Sequence, residues 1–360
     1  MTKRHLSLLA VLALAVACGG STGSTVTPAT DAADPTTTQP APEAVLLSYT
    51  LTPGDEYRYE VGLDQHIELK TAGDASLMGD EELPGEASVD VTGTATFTHV
   101  VSDGTEPGTY DIHITGEFDD VALTGVIDGE PVDSGQVPDF AALEPIDVTV
   151  TVDEQGNPIT DDSGADPFAG MFGGLEAMGG GAPAPGLDQG QFVGPSFPDS
   201  EVAVGDTWSD QIETPGLSED PIVTSITSTV TGVDEVDGAE VFVIETNSTT
   251  SLIELDLGEL LAGMFGGFLP EGATDEEKAQ LEETLAELRF LMTIDGSNAD
   301  STTLFDAEAG LARQSSTTAG TNITMDVNIP DEVTGEMVGL GLTMTLDQET
   351  TYRLLSGPSA

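Results

Sequence analysis

The feature that most constrains the fold is an alternation of apolar and polar residues with a period of two, which begins near Leu46 and recurs along the chain. Because neighbouring side chains of a β-strand point to opposite faces, this pattern predicts strands with one buried and one solvated face. Gly, Asp and Pro separate the runs, which is typical of antiparallel strands joined by turns. Clear examples are residues 57–61, 110–114, 148–152, 241–244, 325–329 and 342–346.

Two Asp-Gly dipeptides, at 103–104 and 237–238, lie between such runs. Gly tolerates the positive φ that a tight hairpin needs, so both are predicted to be hairpin turns. The expected fold class is therefore mainly β (α+β), with curved antiparallel sheet and a few apolar helices packed on one face.

A short motif recurs and predicts an internal duplication. Gly-Asp-Glu-Tyr at 54–57 returns as Gly-Asp-Thr-Trp at 205–208, and each copy precedes a strand pair around an Asp-Gly turn. A third landmark agrees with the duplication. A strand ends at 153–156, which begins 98 residues after Asp55, and the similar segment 306–310 begins 100 residues after Asp206. The alternatives are two related halves, at 46–160 and 201–356, or equal spacing by chance.

Two segments break the strand pattern, and both contain Met-Phe-Gly-Gly (171–174 and 264–267). The first lies in a Gly/Pro-rich crossing, 161–200, in which a short helix is expected. The second opens a predicted helical insertion, 257–292, whose helix begins at a capping box formed by Thr274 and Glu277. Its apolar stripe, which needs an apolar partner such as a sheet face, consists of Leu281, Leu285, Leu288 and Met292.

The amino terminus has the layout of an export signal: Lys3 and Arg4, an apolar run over 6–16, then Ala-Val-Ala before Cys18. The run is too short to cross a bilayer, which takes about 20 helical residues. Residues 1–17 are therefore predicted to be removed. Residues 18–45 are Thr, Pro, Gly and Ala-rich and lack aromatics, so they are expected to be a disordered tether.

The small residues before Cys18 resemble the lipobox of bacterial lipoproteins, with Ala15 where a Leu is usual. The resemblance implies acyl chains, such as palmitate, on a Cys18 that becomes the new amino terminus; two chains give stable anchoring. The expected location is the outer face of the cell membrane, or the outer membrane if the bacterium has one. An ordinary cleaved signal is the alternative. Cys18 is the chain's one cysteine, which excludes an intramolecular disulfide.

The charge of the chain is extreme. Without residues 1–17, six basic residues remain against 65 acidic ones, a net charge near −59. Nucleic acid is excluded as a partner, because its binding needs Lys and Arg to neutralise phosphates. The scattered acids indicate a solvated surface, screened in salty water, with capture of cations or of a basic protein as the alternative.

The motifs at 54–57 and 202–208 resemble a family of bacterial exported lipoproteins with two Gly-Asp-aromatic half-domains. More distantly, the lipobox, tether, curved sheet and helices are similar to the LolA-type carriers of lipoproteins and lipids, whose half-barrel holds acyl chains. The resemblance would cover residues 46–355. No functional residue can be carried over from either group.

No catalytic residue, cofactor or metal site is predicted, and the chain is not expected to be an enzyme. His66, His99 and His113 lack zinc-site spacing and are expected to be polar residues of wet sheet faces. No nucleophile motif is present, and few aromatics are available for a sugar cleft. A calcium site is considered in a predicted turn that contains Asp295, Asn298 and Asp300, whose oxygens suit that ion. The spacing of these residues is not that of an EF-hand loop.

The aromatics Tyr57, Tyr59 and Trp208 are expected to be core residues, with a binding platform as the alternative. The leading functional hypothesis is a non-catalytic, membrane-anchored binding or carrier module for an apolar, lipid-like ligand. A possible lid over that ligand contains Leu260, Leu261, Met264, Phe265 and Phe268, which a closed core would also explain. The alternative is an acidic cell-surface protein with a structural or protein-interaction role.

Overall fold

The computed structural model describes residues 44–73, 84–132, 146–153, 159, 195–214, 222–256, 289–330 and 337–357. Within these ranges the regular elements are strands, which form one sheet of twelve. They are β1 (Glu56–Gly73), β2 (Glu86–Asp103), β3 (Thr109–Ile127), β4 (Glu130–Pro131), β5 (Ile146–Asp153), β6 (Thr207–Thr214), β7 (Ile222–Val236), β8 (Ala239–Thr250), β9 (Ile253–Asp256), β10 (Arg289–Asp306), β11 (Leu311–Pro330) and β12 (Met337–Ser356).

The sheet is open and antiparallel, with the order β4-β3-β2-β1-β12-β11-β10-β8-β7-β6. β5 also pairs with β3, and β9 with β10. The run β4-β3-β2-β1 is joined to the run β12-β11-β10-β8-β7-β6 by the pairing of β1 with β12, which extends over nearly the full length of β1. The predicted mainly β, antiparallel architecture is therefore confirmed.

The predicted apolar helices are not supported, because the described residues contain no helix. Residues 289–292, assigned above to the end of the helical insertion 257–292, begin β10 instead. There Met292 pairs with Met325 on one side and Leu255 on the other. Pairing with two neighbouring strands satisfies the backbone and overrides the helical spacing of the stripe. Residues 257–288 and the expected short helix before 195 lie outside the described residues.

The two ends of the sheet have different connections. At one end, called end A, the loops are 104–108, 237–238 and 307–310. At the opposite end, called end B, strands are joined through 74–85, 215–221, 257–288 and 331–336, and β3 turns into β4 at 128–129. The longest connection between consecutive strands, 154–206, runs from the end of β5 to the start of β6, both on the end-A side, and the next longest, 257–288, joins β9 to β10 at end B.

Both predicted hairpins are present. Asp237 and Gly238, with φ of 52° and 82°, join β7 to β8 in the expected two-residue turn. At 103–104 the hairpin between β2 and β3 has a longer loop, 104–108, and its positive φ, 82°, is at Gly108. A tight turn that was not predicted joins β3 to β4 at Asp128 and Gly129.

The two Gly-Asp motifs have the same hydrogen bonds. The Gly54 N–H donates to the Val101 carbonyl, and the Val101 N–H donates to the Asp55 carbonyl. Gly205 and Asp206 make the same pair of bonds with Val230. The φ angles of Gly54 and Gly205 are 98° and 97°. This local identity favours the duplication, whose boundaries stay a prediction.

One face of the sheet, called the inner face, is buried, and the outer face is wet. On β1 the odd-numbered Tyr57, Val61, Gln65, Ile67 and Leu69 are buried, while the residues between them are exposed or half-buried. At end A, the extended segments 44–52 and 195–203 lie on the inner face and pair through a Val45–Val202 bridge. They pack on Val230, Phe242, Ile244 and Phe305 to form a core at that end.

Candidate binding surfaces

The inner face is divided along the strands into two apolar zones with a polar belt between them. Towards end B lies an apolar cluster, called the end-B cluster, and at end A lie the clusters under the two extended segments. The belt consists of polar side chains on five strands. Five of them are at most 7% exposed and the sixth, Gln348, is half-buried: Gln65, Ser228, Ser297, Thr303, Thr321 and Gln348. The end-B cluster consists of Ile67, Leu69, Ala87, Ile127, Met344 and Leu346.

Each hydroxyl of the belt forms a hydrogen bond with a hydroxyl on a neighbouring strand. The Ser228 and Thr246 oxygens are 2.8 Å apart, and those of Ser297 and Thr321 are 3.0 Å apart. Thr303 bonds Ser315 in the same way, at 3.1 Å. Such pairs remove the cost of burying a polar group.

The two glutamines of the belt are not satisfied in this way. Gln348 donates from Nε2 to the Thr350 hydroxyl at 2.8 Å, but its Oε1 has no partner. Gln65 is 1% exposed and its Nε2 has no partner. The two residues are directly opposite each other on β1 and β12. A free donor and a free acceptor therefore lie side by side on the inner face.

A small cavity of about 30 Å³ lies at end A beside His99, which is 5% exposed and whose Nε2 has no hydrogen-bond partner. Burial lowers the pKa of His99 to about 4, so the imidazole is neutral at pH 7. Burial, with the nearby Asp55 carboxylate, raises the pKa of Tyr57 to about 12. The cavity has room for one water, which His99 would bind.

The outer face carries an open groove of about 540 Å³ across β12, β1, β2 and β3. Gly62 and Gly93 are among its lining residues, and Gly62, which lies opposite Thr351 on the outer face, leaves room there because it lacks a side chain. The carboxylates of Asp64, Asp120 and Glu349 line it, with threonines between them. The groove is therefore polar and anionic.

The histidines occupy three separate places. His66 Nδ1 lies 2.6 Å from Asp90 Oδ1, and the pKa of His66 is raised, first by that hydrogen bond and further by Glu68. His113 Nε2 lies 2.7 Å from Asp147 Oδ1 on β5. Among the described residues, no three His, Cys, Asp or Glu side chains are grouped to hold a metal.

The residues considered for calcium do not form the expected turn. Asp295, Asn298 and Asp300 lie along β10, on either side of a bulge that contains Gly296 with φ of 69°. Asp300 Oδ1 accepts a hydrogen bond from Asn247 at 2.8 Å. The strand therefore separates oxygens that a single turn would have brought together.

Tyr57 and Trp208 pack in or against the core, as expected from the sequence. Tyr57 is 6% exposed, and Trp208 packs against the end-A core and donates from Nε1 to the Ser196 carbonyl at 2.9 Å. Tyr59 stacks on His99 with ring centroids 4.9 Å apart. Cys18 lies outside the described residues, and so do the lid candidates Leu260, Leu261, Met264, Phe265 and Phe268.

The inner-face position of the two glutamines was not predicted from the sequence. Each occupies a position that the alternation reserves for apolar residues: Gln65 between Leu63 and Ile67, and Gln348 two residues after Leu346. A polar residue in the buried register of a strand is the feature that would have identified them.

No helix of the described part is long and apolar enough to span a membrane. No family model and no curated protein matches the chain.

Among solved structures, the chain is similar to lipovitellin, from work on lipid–protein interactions, with a TM-score of 0.31, 11% identity and 86% of this chain covered. The match spans 26% of that chain, about a quarter of its length. DynF from the dynemicin biosynthesis pathway of Micromonospora chersina has a TM-score of 0.16 and 8% identity, covering 88% of this chain and 92% of that one. Pseudomonas aeruginosa OpdQ has a TM-score of 0.15 and 7% identity, covering 84% and 99%. Likenesses this low carry no argument about fold or function.

Proposed function

We propose that the chain is a lipid-anchored, extracytoplasmic binding module that takes an apolar, lipid-like ligand on its inner sheet face. The observation that carries this proposal is the division of that face. End A is filled by residues 44–52 and 195–203, whereas the end-B cluster is a separate apolar cluster beyond the polar belt, with each residue at most 5% exposed. An apolar surface bordered by a few polar groups is the usual composition of a small-molecule site.

Two features of the sheet support a ligand at end B. The Ile253–Ile294 contact extends the apolar surface to β9 and β10, so that it reaches across the sheet. The end-B cluster is separate from the end-A core, so changes of shape at end B need not disturb that core.

Ligand binding is tested on the Cys18→Ser protein, purified without detergent, by native mass spectrometry and lipid extraction. We expect a co-purifying lipid, or uptake of a fluorescent fatty acid after delipidation. As a matched pair, Leu346→Asp at the end-B cluster should abolish uptake and Leu355→Asp, on an exposed side chain at end A, should not. Absence of both bound lipid and uptake would contradict the proposal.

The anchor is tested separately in cells. The wild-type protein is expected in the membrane fraction, with acyl chains found on Cys18 by mass analysis of the mature amino terminus. Cys18→Ser is expected to move to the soluble fraction, because the sulfur that would carry the acyl chains is gone. An unmodified thiol on the wild-type protein would overturn the anchor and leave the ligand site untouched.

The second candidate is a cell-surface role in which the acidic protein contacts a basic partner. The outer groove with Asp64, Asp120 and Glu349 is the observation that favours it. Complementary charge would make such binding strongly dependent on salt. Capture of a basic protein that is released at high ionic strength, and lost in Asp120→Asn, is the expected result; salt-independent lipid binding alone favours the first candidate.

A further inference from the structure

The small cavity at end A lies beneath a segment that is not part of the sheet. Tyr49 and Leu51 of the extended segment 44–52 line it from one side, and His99 on β2 lines it from the sheet. The other lining residues come from four strands and the β10–β11 turn: Tyr57, Tyr59, Val101, Ile112, Gly310, Leu311 and Ala312. The extended segment is therefore part of the cover over His99.

The imidazole of His99 is poorly prepared to carry a charge. Its Nε2 has no hydrogen-bond partner among the described residues, and the Tyr59 ring stacks on it. The cavity of about 30 Å³ holds a single water. A protonated imidazole has a second N–H and a positive charge, which one water does not solvate. Burial accordingly lowers the pKa of His99 to about 4.

The other groups around the cavity keep their charge between pH 7 and pH 4. Burial raises the pKa of Tyr49, Tyr57 and Tyr59, so these three side chains stay neutral. The lining residues from β3 and β11 are apolar. The Asp55 carboxylate contacts the Tyr57 hydroxyl at 3.4 Å but does not line the cavity. Among the described lining residues, His99 is therefore the group that gains a charge in this range.

The cover over His99 can move more easily than the sheet beneath it. β2 pairs with both β1 and β3 along most of its length. At the cavity the extended segment is held by the Thr50 N–H, which donates to the Gly310 carbonyl at 3.0 Å, and by the Tyr57 hydroxyl, 3.4 Å from the Thr50 carbonyl. Thr50 is exposed and Leu51 is only half-buried. Water therefore reaches His99 at the lowest cost when residues 50–52 lift.

The second Gly-Asp motif provides a comparison within the same chain. Counted back from the strand residue that each motif glycine bonds, the position of His99 corresponds to Ser228. Ser228 is also buried, but its hydroxyl is paired with Thr246 and does not titrate in this range. The segment 195–203 precedes the second motif as 44–52 precedes the first. The two halves therefore differ in whether a titratable side chain lies at this position.

We propose that residues 50–52 form a flap that opens when His99 takes up a proton. In the closed form the imidazole is neutral and borders a cavity with room for one water. In the open form water solvates the imidazolium, and the bond between Thr50 and Gly310 is broken. This acid-operated flap goes beyond the proposed function and is independent of which ligand or partner the protein binds.

The test is hydrogen exchange of the Thr50 amide in the Cys18→Ser protein, measured by mass spectrometry at pH 7, pH 5 and pH 4 and corrected for the intrinsic exchange rate. Protection of this amide should fall about a hundredfold from pH 7 to pH 4. A histidine with a pKa of about 4 when closed and about 6.5 when exposed to water favours the open form by that factor. The bias is absent above pH 6.5, grows as the pH falls to 4 and is constant below it. Amides of β2 that bond β1 and β3 should keep their protection.

Two variants remove the titrating group, one with an apolar and one with a polar side chain: His99→Phe and His99→Gln. In either one the protection of Thr50 should be the same at all three pH values, so the test survives if one of them fails to fold. Ser228→Ala, at the corresponding position of the second half, is the matched control and should keep the wild-type profile. The Val202 amide, which donates to the Val45 carbonyl at 2.8 Å, should not follow that profile in any variant.

Three results would overturn the flap. The first is a Thr50 amide whose protection does not depend on pH while His99 is present. The second is a loss that the β2 amides share at the same pH, since the whole sheet would then be opening. The third is a loss that persists in both His99 variants, which would assign it to carboxylates such as Asp55.

Discussion

At the scale of single residues, Asp306 and Arg313 form a buried charged pair at the β10–β11 turn. Asp306 is 3% exposed, and its Oδ2 accepts from Arg313 Nη2 and Nε at 2.6 and 3.0 Å. Burial alone would raise the pKa of Asp306, but hydrogen bonds from the Ala309 and Glu308 amides and from Arg313 outweigh it and lower that pKa. The carboxylate therefore fixes both the turn and the start of β11.

Asp306→Asn is expected to cost about 3 kcal/mol of unfolding free energy at pH 7, because it leaves a partly buried guanidinium without its counter-ion. The control is Glu60→Gln, which breaks the exposed 2.8 Å pair with Arg353. That change should cost less than about 1 kcal/mol. Urea denaturation of both variants measures the difference. Equal losses would show that the burial of Asp306 is not what makes its pair matter.

His99 is expected to make the protein sensitive to acid. Its pKa is about 4 in the folded state against about 6.5 for an exposed histidine, so the unfolded chain binds the proton first as the pH falls. The contribution to stability is therefore fully present above pH 6.5, is lost as the pH drops from 6.5 to 4, and stays lost below 4. The difference between the two pKa values corresponds to about 3 kcal/mol of unfolding free energy.

His99→Phe should remove this loss, and the adjacent cavity of about 30 Å³ helps to accommodate the larger ring. The measurement is the difference in unfolding free energy between His99→Phe and wild type at several pH values, which cancels the titration of the carboxylates that both share. A flat difference for His99→Phe would contradict the buried neutral histidine.

At the scale of elements, the two Gly-Asp motifs determine how the chain passes from each extended segment into β1 and β6. Gly54 and Gly205 both adopt φ near +98°, and a Cβ at either would meet nothing within 4 Å. Any cost of a side chain there is therefore backbone strain alone.

Gly54→Ala and Gly205→Ala are accordingly expected to destabilise the protein by the same amount, about 1–2 kcal/mol each. Gly232→Ala is the control, because Gly232 also has open space around its Cβ position but no positive φ. Thermal unfolding of the three variants compares them. Clearly unequal effects at Gly54 and Gly205 would argue against structural equivalence of the two motifs.

At the scale of the whole molecule, charge decides the conditions under which the sheet is stable. The chain has a formal net charge of −57, and self-repulsion of this kind destabilises a compact state. Raising sodium chloride from about 0.1 M to 1 M shortens the screening length from about 10 Å to about 3 Å. The melting temperature is expected to rise over this range at pH 7.

The control for that prediction is the same salt series near pH 4, where many carboxyls are protonated. There the rise should be much smaller, because less charge remains to be screened. A melting temperature that is independent of salt at pH 7 would mean that the basic residues and the spacing of the acids already relieve the repulsion.

Much of the fold was predictable from the sequence, because alternation and turn residues act locally. The alternation at 57–61 or 342–346 predicts a strand and its buried face without knowledge of its partner. The turn at Asp237 and Gly238 follows from backbone preferences of two residues. Met292, the last residue of the predicted apolar stripe, lies in β10 instead of a helix, because either a helix or a strand can bury an apolar side chain.

The class of structure, the acidic composition and the buried register of most strands could be predicted from the chain, since each depends on neighbouring residues. The pairing of β1 with β12 could not, because it joins residues such as Glu60 and Arg353 across 293 positions. That pairing also places Gln65 opposite Gln348 on the inner face. Alternation specifies which side chains face inward, but partner strands are selected by the free energy of the whole sheet, which no local pattern contains.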